Sequence, residues 1–192
     1  MTEIEIRGKI AMADFERLVK LLSSEGRLVD HYHRLSVDLS PGFDKKTRTW
    51  KNPSGLDIRV KKSDGKEKIT IKIGGFQDRK RKEVEVELVT GRLLEALDLL
   101  EALGYPNGMI YYWESWEYSF RGVEIKLSKY TDDYFTFEIE SKESLEVEKI
   151  AKELNLTPYS EKEYREVINR ENQNIHQIYR RGTVEKMLEE SF

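Results

Sequence analysis

Glu3-Ile4-Glu5-Ile6-Arg7-Gly8-Lys9-Ile10 opens the chain with alternation: Ile4, Ile6 and Ile10 fall on one face of a strand, and Glu3, Glu5, Arg7 and Lys9 on the other. The same two-residue period returns over 56–62 and 67–73, around Ser63-Asp64-Gly65-Lys66, whose Asp-Gly pair is a hairpin signal. Further strands are expected over 27–39, 83–89, 109–120, 123–130 and 134–140. Helical stretches interrupt them. Phe15, Leu18, Val19, Leu21 and Leu22 form a stripe over 13–24 that stops at Gly26, and second and third helices are expected over 90–104 and 144–155. Segment 44–54 is polar, with Trp50 its only strong apolar anchor. After Pro158, a Ser160-x-x-Glu163 capping box opens a polar helical tail expected to break at Gly182. About eight strands that each bury one face need closure or a covering layer. The expected fold is therefore α+β: a closed or nearly closed antiparallel eight-stranded β-barrel with flanking helices.

The composition suits one domain with a small appendage. The chain has 192 residues, 38% of them hydrophobic and 36% charged, and its ten Tyr, seven Phe and three Trp argue against disorder. Its net charge of −3 gives no global field for nucleic acid or an anionic membrane, so anion binding would have to come from local placement of Lys and Arg. With no Cys there is no disulfide and no thiolate metal site. The first residues do not read as a signal peptide and no apolar run is long enough to span a bilayer, so a cytoplasmic location is expected.

The charges on the polar faces of the strands carry the functional signal. They are Glu3, Glu5, Arg7 and Lys9; Asp57, Arg59 and Lys61; Lys68, Thr70 and Lys72; Arg81, Glu83, Glu85 and Glu87; Glu124 and Lys126; and Thr136, Glu138 and Glu140. Any one such face can simply be solvated. Across the set, however, carboxylates pair at i,i+2 on three strands while bases concentrate on the hairpin. If the apolar faces lie outward under helices, these charges line a lumen and need compensation from a multivalent ligand and metal. Paired glutamates suit a hard cation such as Mg²⁺ or Mn²⁺. Neighbouring Arg and Lys suit phosphate oxygens.

At these residues the sequence resembles the CYTH superfamily, the triphosphate tunnel metalloenzymes. Glu3-Ile4-Glu5-Ile6-Arg7 is similar to its ExExK strand. Leu56-Asp57-Ile58-Arg59 with Ile69-Thr70-Ile71-Lys72 is similar to its LRIR…LTxK pair. Arg81-Lys82-Glu83-Val84-Glu85 resembles RxExE, and Glu138-Ile139-Glu140 the late ExE strand. The four motifs occur in family order across residues 1–157, which the resemblance makes the tunnel domain, with 158–192 as a helical C-terminal extension. The family includes class IV adenylyl cyclases, thiamine triphosphatases and inorganic triphosphatases. The resemblance implies a metal-dependent enzyme using Mg²⁺ or Mn²⁺ on a triphosphate-bearing small molecule. Glu3, Glu5, Glu83, Glu85, Glu138 and Glu140 would be metal ligands. Arg7, Lys9, Arg59, Lys61, Lys72 and Arg81 would grip phosphate, and Glu5, Lys72 and Glu85 would be catalytic. Hydrolysis, cyclisation of ATP and non-catalytic binding of the polyphosphate or nucleotide all stay open. The chain departs from the pattern in three places: Arg7 replaces Lys, Asp57 replaces the first Arg of LRIR, and no Lys or Arg occurs between Arg92 and Arg121, where the sixth strand of the family carries bases.

Other residues invite separate readings. Trp113, Trp116 and Tyr118 form an aromatic cluster for a covered exterior, a homodimer face or the ring of a substrate. His31 and His33 share a strand face, as a metal pair would. His176 is expected to be solvated on a polar helix, and Arg180-Arg181 to be surface charge.

Overall fold

The computed structural model describes residues 4–50, 55–74 and 82–191, with the side chains of residues 161, 165 and 191 excepted. In chain order the elements are β1 (Ile4–Ile10), α1 (Met12–Glu25), β2 (Arg27–Leu39), β3 (Phe43–Asp44), β4 (Thr49–Trp50), β5 (Leu56–Ser63), β6 (Lys66–Ile73) and β7 (Lys82–Leu88). They continue with α2 (Leu93–Ala102), β8 (Gly108–Phe120), β9 (Val123–Thr131), β10 (Tyr134–Ser141), α3 (Ser144–Glu153), α4 (Glu161–Asn174), β11 (Gln177–Ile178) and α5 (Arg181–Ser191). The fold is α+β, as the alternation predicts: a large antiparallel sheet in the order β1-β10-β9-β8-β2-β5-β6-β7, with β11 on β8 and helices flanking it. The polar segment around Trp50 forms a separate β3–β4 pair, closed by the Phe43 and Trp50 rings at 4.7 Å. Among the described residues no helix is long and apolar enough to cross a membrane.

The chain divides into two compact units. The first comprises Met1–His33 and Trp113–Val167, the second Arg34–Tyr112 and Ile168–Phe192. In the first unit α1 and α3 cover the apolar face of the strands. Phe15, Leu18 and Leu22 of α1 and Val147 and Ile150 of α3 pack with Tyr118, Phe120, Ile125, Leu127, Phe137 and Ile139. Because side chains alternate, burying these residues forces their chain neighbours to the opposite face. The register there sets Glu5 opposite Glu140, Arg7 opposite Glu138 and Lys9 opposite Thr136.

In the second unit the core joins Leu35, Val37 and Leu39 of β2 to Ile58 and Val60 of β5 and to Leu93, Leu97 and Leu100 of α2. Helix α2 starts at Leu93, after Gly91 in the left-handed region at φ 86°. Its first N–H, that of Leu93, donates 2.8 Å to the buried Glu67 carboxylate, which Lys62 also meets at 3.1 Å. Strand β7 keeps Val84 and Val86 exposed, so its apolar residues are not covered as those of β5 are.

The C-terminal segment departs from the expected single broken helix. The Ser160 capping box forms, with Ser160 N donating to Glu163 at 2.8 Å and Glu163 N to Ser160 Oγ at 3.3 Å. The helix ends at Asn174, well before Gly182, which lies inside α5. The break comes where Gln177 and Ile178 pair with Ile110 and Met109, and Tyr179 N donates 2.8 Å to Gly108 O. His176 is buried, its ring centre 4.2 Å from that of Tyr111 and tilted by 53°, instead of solvated. Strand pairing competes for the backbone here, and a polar-looking sequence does not display that.

Gly8 carries a local constraint on β1. A Cβ there would lie 2.6 Å from both the Phe137 ring and Thr157 O, beneath a segment whose Tyr159 N donates 2.9 Å to Arg7 O. Gly8→Ala is therefore expected to destabilise the fold by about 1–3 kcal/mol through overpacking, read as a lower midpoint in urea unfolding; an unchanged midpoint would show that the segment yields.

Candidate functional site

In the first unit one ammonium sits among three carboxylates. Lys126 Nζ of β9 lies 3.5 Å from Glu117 of β8, 3.8 Å from Glu138 and 3.9 Å from Glu140 of β10. Glu138 also faces Arg7 Nε at 3.8 Å, and Tyr32 of β2 donates to Glu117. Register builds this row: Glu117 opposes Lys126, Lys126 opposes Glu138, and Glu138 opposes Arg7. The next row holds only carboxylates on β9, β10 and β1, with Glu124 opposite Glu140 and Glu140 opposite Glu5.

The two rows have different electrostatics. Burial works against charge on Lys126, but Glu138, Glu140 and Glu117 outweigh it and raise its pKa. Glu140 has the reverse problem. Burial pushes its carboxyl up, Lys126 pulls it down, and Glu5, Glu138 and Glu124 push it up again, to about 7. Three carboxylates share one ammonium, so the lysine gains from each while Glu140 also meets several like charges.

The second unit holds another buried cluster. Arg59 of β5 is clamped by two aspartates, at 2.6 Å from Asp57 and 3.3 Å from Asp38 of β2. Burial disfavours its charge, yet Asp38 and Asp57 raise its pKa. Asp38 is itself raised, first by burial and then by Asp57, against the pull of Arg59, and it accepts from Ser36 at 2.5 Å. Lys61 is buried beside them, and burial followed by repulsion from Arg59 and Arg34 lowers its pKa to about 7. Tyr111 completes the group. Its hydroxyl pKa is raised by burial and then by Asp38, and it donates 3.2 Å to Asn172. On the edge strand, Glu85 accepts from Lys68 at 2.8 Å and Thr70 at 3.2 Å, and Glu83 meets Lys72 at 3.2 Å.

The structure thus brings Glu5, Arg7, Glu138 and Glu140 together around Lys126 in one unit. Lys9 lies on the same strand face as Glu5 and Arg7, with its ammonium 4.5 Å from the centre of the Tyr134 ring. Arg59 and Lys61 meet in the other unit, where Lys72, Glu83 and Glu85 form edge pairs. Glu3 and Arg81 lie outside the described residues. Asp38, Tyr111, Glu117 and Lys126 were not among the predicted site residues. Their signal was positional, since each sits on the polar face of its strand, but only pairing shows which charges meet.

For a divalent cation the donor chemistry fits: carboxylate oxygens, under-compensated at Glu140. Among the described residues, no three His, Cys, Asp or Glu side chains are grouped as a metal cage. The His31–His33 pair is drawn to one carboxylate, with Glu114 at 2.8 Å from His31 and 3.8 Å from His33, and His31 stacks on Trp116 at 4.7 Å.

No family model matches the chain, and no curated protein sequence matches it. Solved structures do. A conserved hypothetical protein of Pyrococcus furiosus superposes with TM-score 0.62 at 20% identity, over 81% of this chain and 91% of that one. An adenylate cyclase candidate of Bacillus halodurans gives 0.56 at 15%, over 83% and 95%. An adenylyl cyclase candidate of Hippeastrum with a dominant triphosphatase activity gives 0.53 at 16%, over 82% and 90%. The chain shares their fold.

Glu140 generates a pH prediction. Its folded pKa, about 7, lies above the ordinary 4.5, so its contribution to stability is fully present below pH 4.5 and is lost as pH rises through 7. In metal-free buffer Glu140→Gln should match the wild-type melting temperature at pH 4 and exceed it at pH 8; a lower value at pH 8 would mean that the Lys126 pairing outweighs the crowding.

Proposed function

We propose that this chain, which has the fold of the CYTH superfamily, is a metal-dependent enzyme acting on a triphosphate-bearing small molecule. The observation that carries the reading is the mixed charge row of the first unit, where Arg7, Glu138, Lys126 and Glu117 alternate in sign beside the Glu5–Glu140–Glu124 row. A solvated surface has no need to bury such a set. A phosphate chain bridged to a hard cation needs carboxylates and bases together.

Glu5, Glu138 and Glu140, which are not grouped as a cage in this structure, would draw together to hold Mg²⁺ or Mn²⁺, which when bound supplies electrophilic assistance to the leaving phosphate. Arg7 and Lys9 would meet phosphate oxygens, Arg7 through its guanidinium fork. Lys126 pairs with Glu138 and Glu140, and it pulls the Glu140 carboxyl down against burial and its carboxylate neighbours. In the second unit Lys61 and Lys72 are the cations the resemblance assigns to phosphate. Arg59 has the same assignment, but Asp38 and Asp57 already neutralise it. Triphosphate hydrolysis is the favoured reaction, and cyclisation of ATP is the alternative on the same groups.

One observation favours a non-catalytic reading. The polar face of β8 presents Tyr111, Trp113, Ser115 and Glu117 and has no base. A module that binds without turnover would show a higher melting temperature with triphosphate and no product.

The test incubates the protein with inorganic triphosphate, thiamine triphosphate and ATP, each with Mg²⁺ or Mn²⁺, and reads phosphate and cyclic AMP. Metal-dependent turnover of at least one is expected, with EDTA abolishing it and Glu5→Gln or Glu138→Gln lowering it at least about 100-fold. No turnover and no melting shift with any of the three would refute the proposed function.

A further inference from the structure

Strand alternation splits the aromatic cluster of β8. Tyr118 is buried against α1 and Trp116 packs edge-on to Phe15 at 5.2 Å, both on the helix-covered face. Trp113 goes to the polar face, where it stacks on Tyr130 of β9 at 5.7 Å and 26°. Tyr130 meets Tyr134 of β10 edge-on at 6.0 Å, and the Lys9 ammonium lies 4.5 Å from the Tyr134 ring centre. Trp113, Tyr130 and Tyr134 are only half-buried, whereas Tyr118, Phe120, Phe135 and Phe137 on the opposite face are buried.

A second observation lies between these rings and the charged rows. Thr136 is 1% exposed, and its Oγ1 is buried with no hydrogen-bond partner among the described residues. Leaving such a hydroxyl unpaired is costly, so its place on the polar face marks it for a ligand atom. Along β10 the polar face therefore reads ring (Tyr134), unpaired hydroxyl (Thr136), then carboxylates (Glu138, Glu140). At about 3.4 Å per residue, Tyr134 to Glu138 spans about 14 Å, about the reach from a heteroaromatic ring through a polar linker to a phosphate chain.

We propose that Trp113, Tyr130 and Tyr134 form a stacking wall for a planar ring on the substrate, with Thr136 bonding its linker, so that ring-bearing phosphates are preferred over inorganic triphosphate. The inference rests on the function proposed above. Faces of Trp and Tyr stack on ring systems without regard to sequence-specific edges, so the wall selects for a ring and not for a particular base.

Equilibrium titration of the whole chain with ATP, thiamine triphosphate and inorganic triphosphate tests this, following tryptophan fluorescence and heat. At least one ring-bearing compound should bind tighter than inorganic triphosphate by about 5-fold or more. Trp113→Leu should cut that ratio by about 5- to 100-fold, while Trp113→Phe keeps most of it. If Trp113→Leu does not fold, Tyr134→Leu is read the same way. Equal affinity for all three compounds, or a ratio untouched by the variants, overturns the stacking wall and leaves the proposed function standing. Absence of binding and turnover with all three removes the proposed function and the wall with it.

Discussion

Burial of apolar side chains one residue away holds each charged group of the first unit in place. Ile6 and Ile10 lie on the helix-covered face, so Arg7 and Lys9 cannot. Ile139 under α3 forces Glu138 and Glu140 to the other side, and Ile125 and Leu127 do the same for Lys126. A one-residue slip would send charges into the helix-packed core, which makes the register expensive to change. The site therefore inherits its precision from a hydrophobic core that takes no part in its chemistry.

That arrangement also explains why the carboxylates tolerate one another. An ammonium inside a triad of glutamates is a buried ionic group whose desolvation is repaid only if the geometry is good and every charge is shared. Lys126 meets three acceptors and Glu138 is shared with Arg7, whereas Glu140 is crowded by Glu5 and Glu124. The crowded end is where a hard cation would relieve most repulsion. The second unit solves a similar problem internally, by locking Arg59 between Asp38 and Asp57. A guanidinium so neutralised is a weaker phosphate ligand than the motif suggests, whereas Lys61 keeps a low pKa that anion binding would raise.

Solved structures with this fold differ in what is said of them: one is hypothetical, one is an adenylate cyclase candidate and one has a dominant triphosphatase activity. Fold alone does not choose among such activities. What this chain itself carries is local: Asp57 beside Arg59, a base-free polar face on β8, and rings at Trp113, Tyr130 and Tyr134 beside a Thr136 hydroxyl with no partner among the described residues.

The period-two pattern was enough to place the long strands, the arms of the Asp-Gly hairpin and the polar faces bearing Glu5, Arg7, Arg59, Glu138 and Glu140, and apolar stripes of helical period placed the helices between them. Alternation is a local property, set by backbone geometry, and the sequence displays it directly. Which charges meet was decided only by pairing. Lys126 stood on a polar face in the sequence, but its three glutamates come from β8 and β10, and Asp38 reaches Arg59 only because β2 lies beside β5. The same holds for the rings: the run from Trp113 to Tyr118 reads as one cluster, and the pleat divides it. His176 looked solvated because its neighbours in sequence are polar, and it is buried because β11 joins β8. Register between distant segments is a long-range property, and no window of sequence contains it.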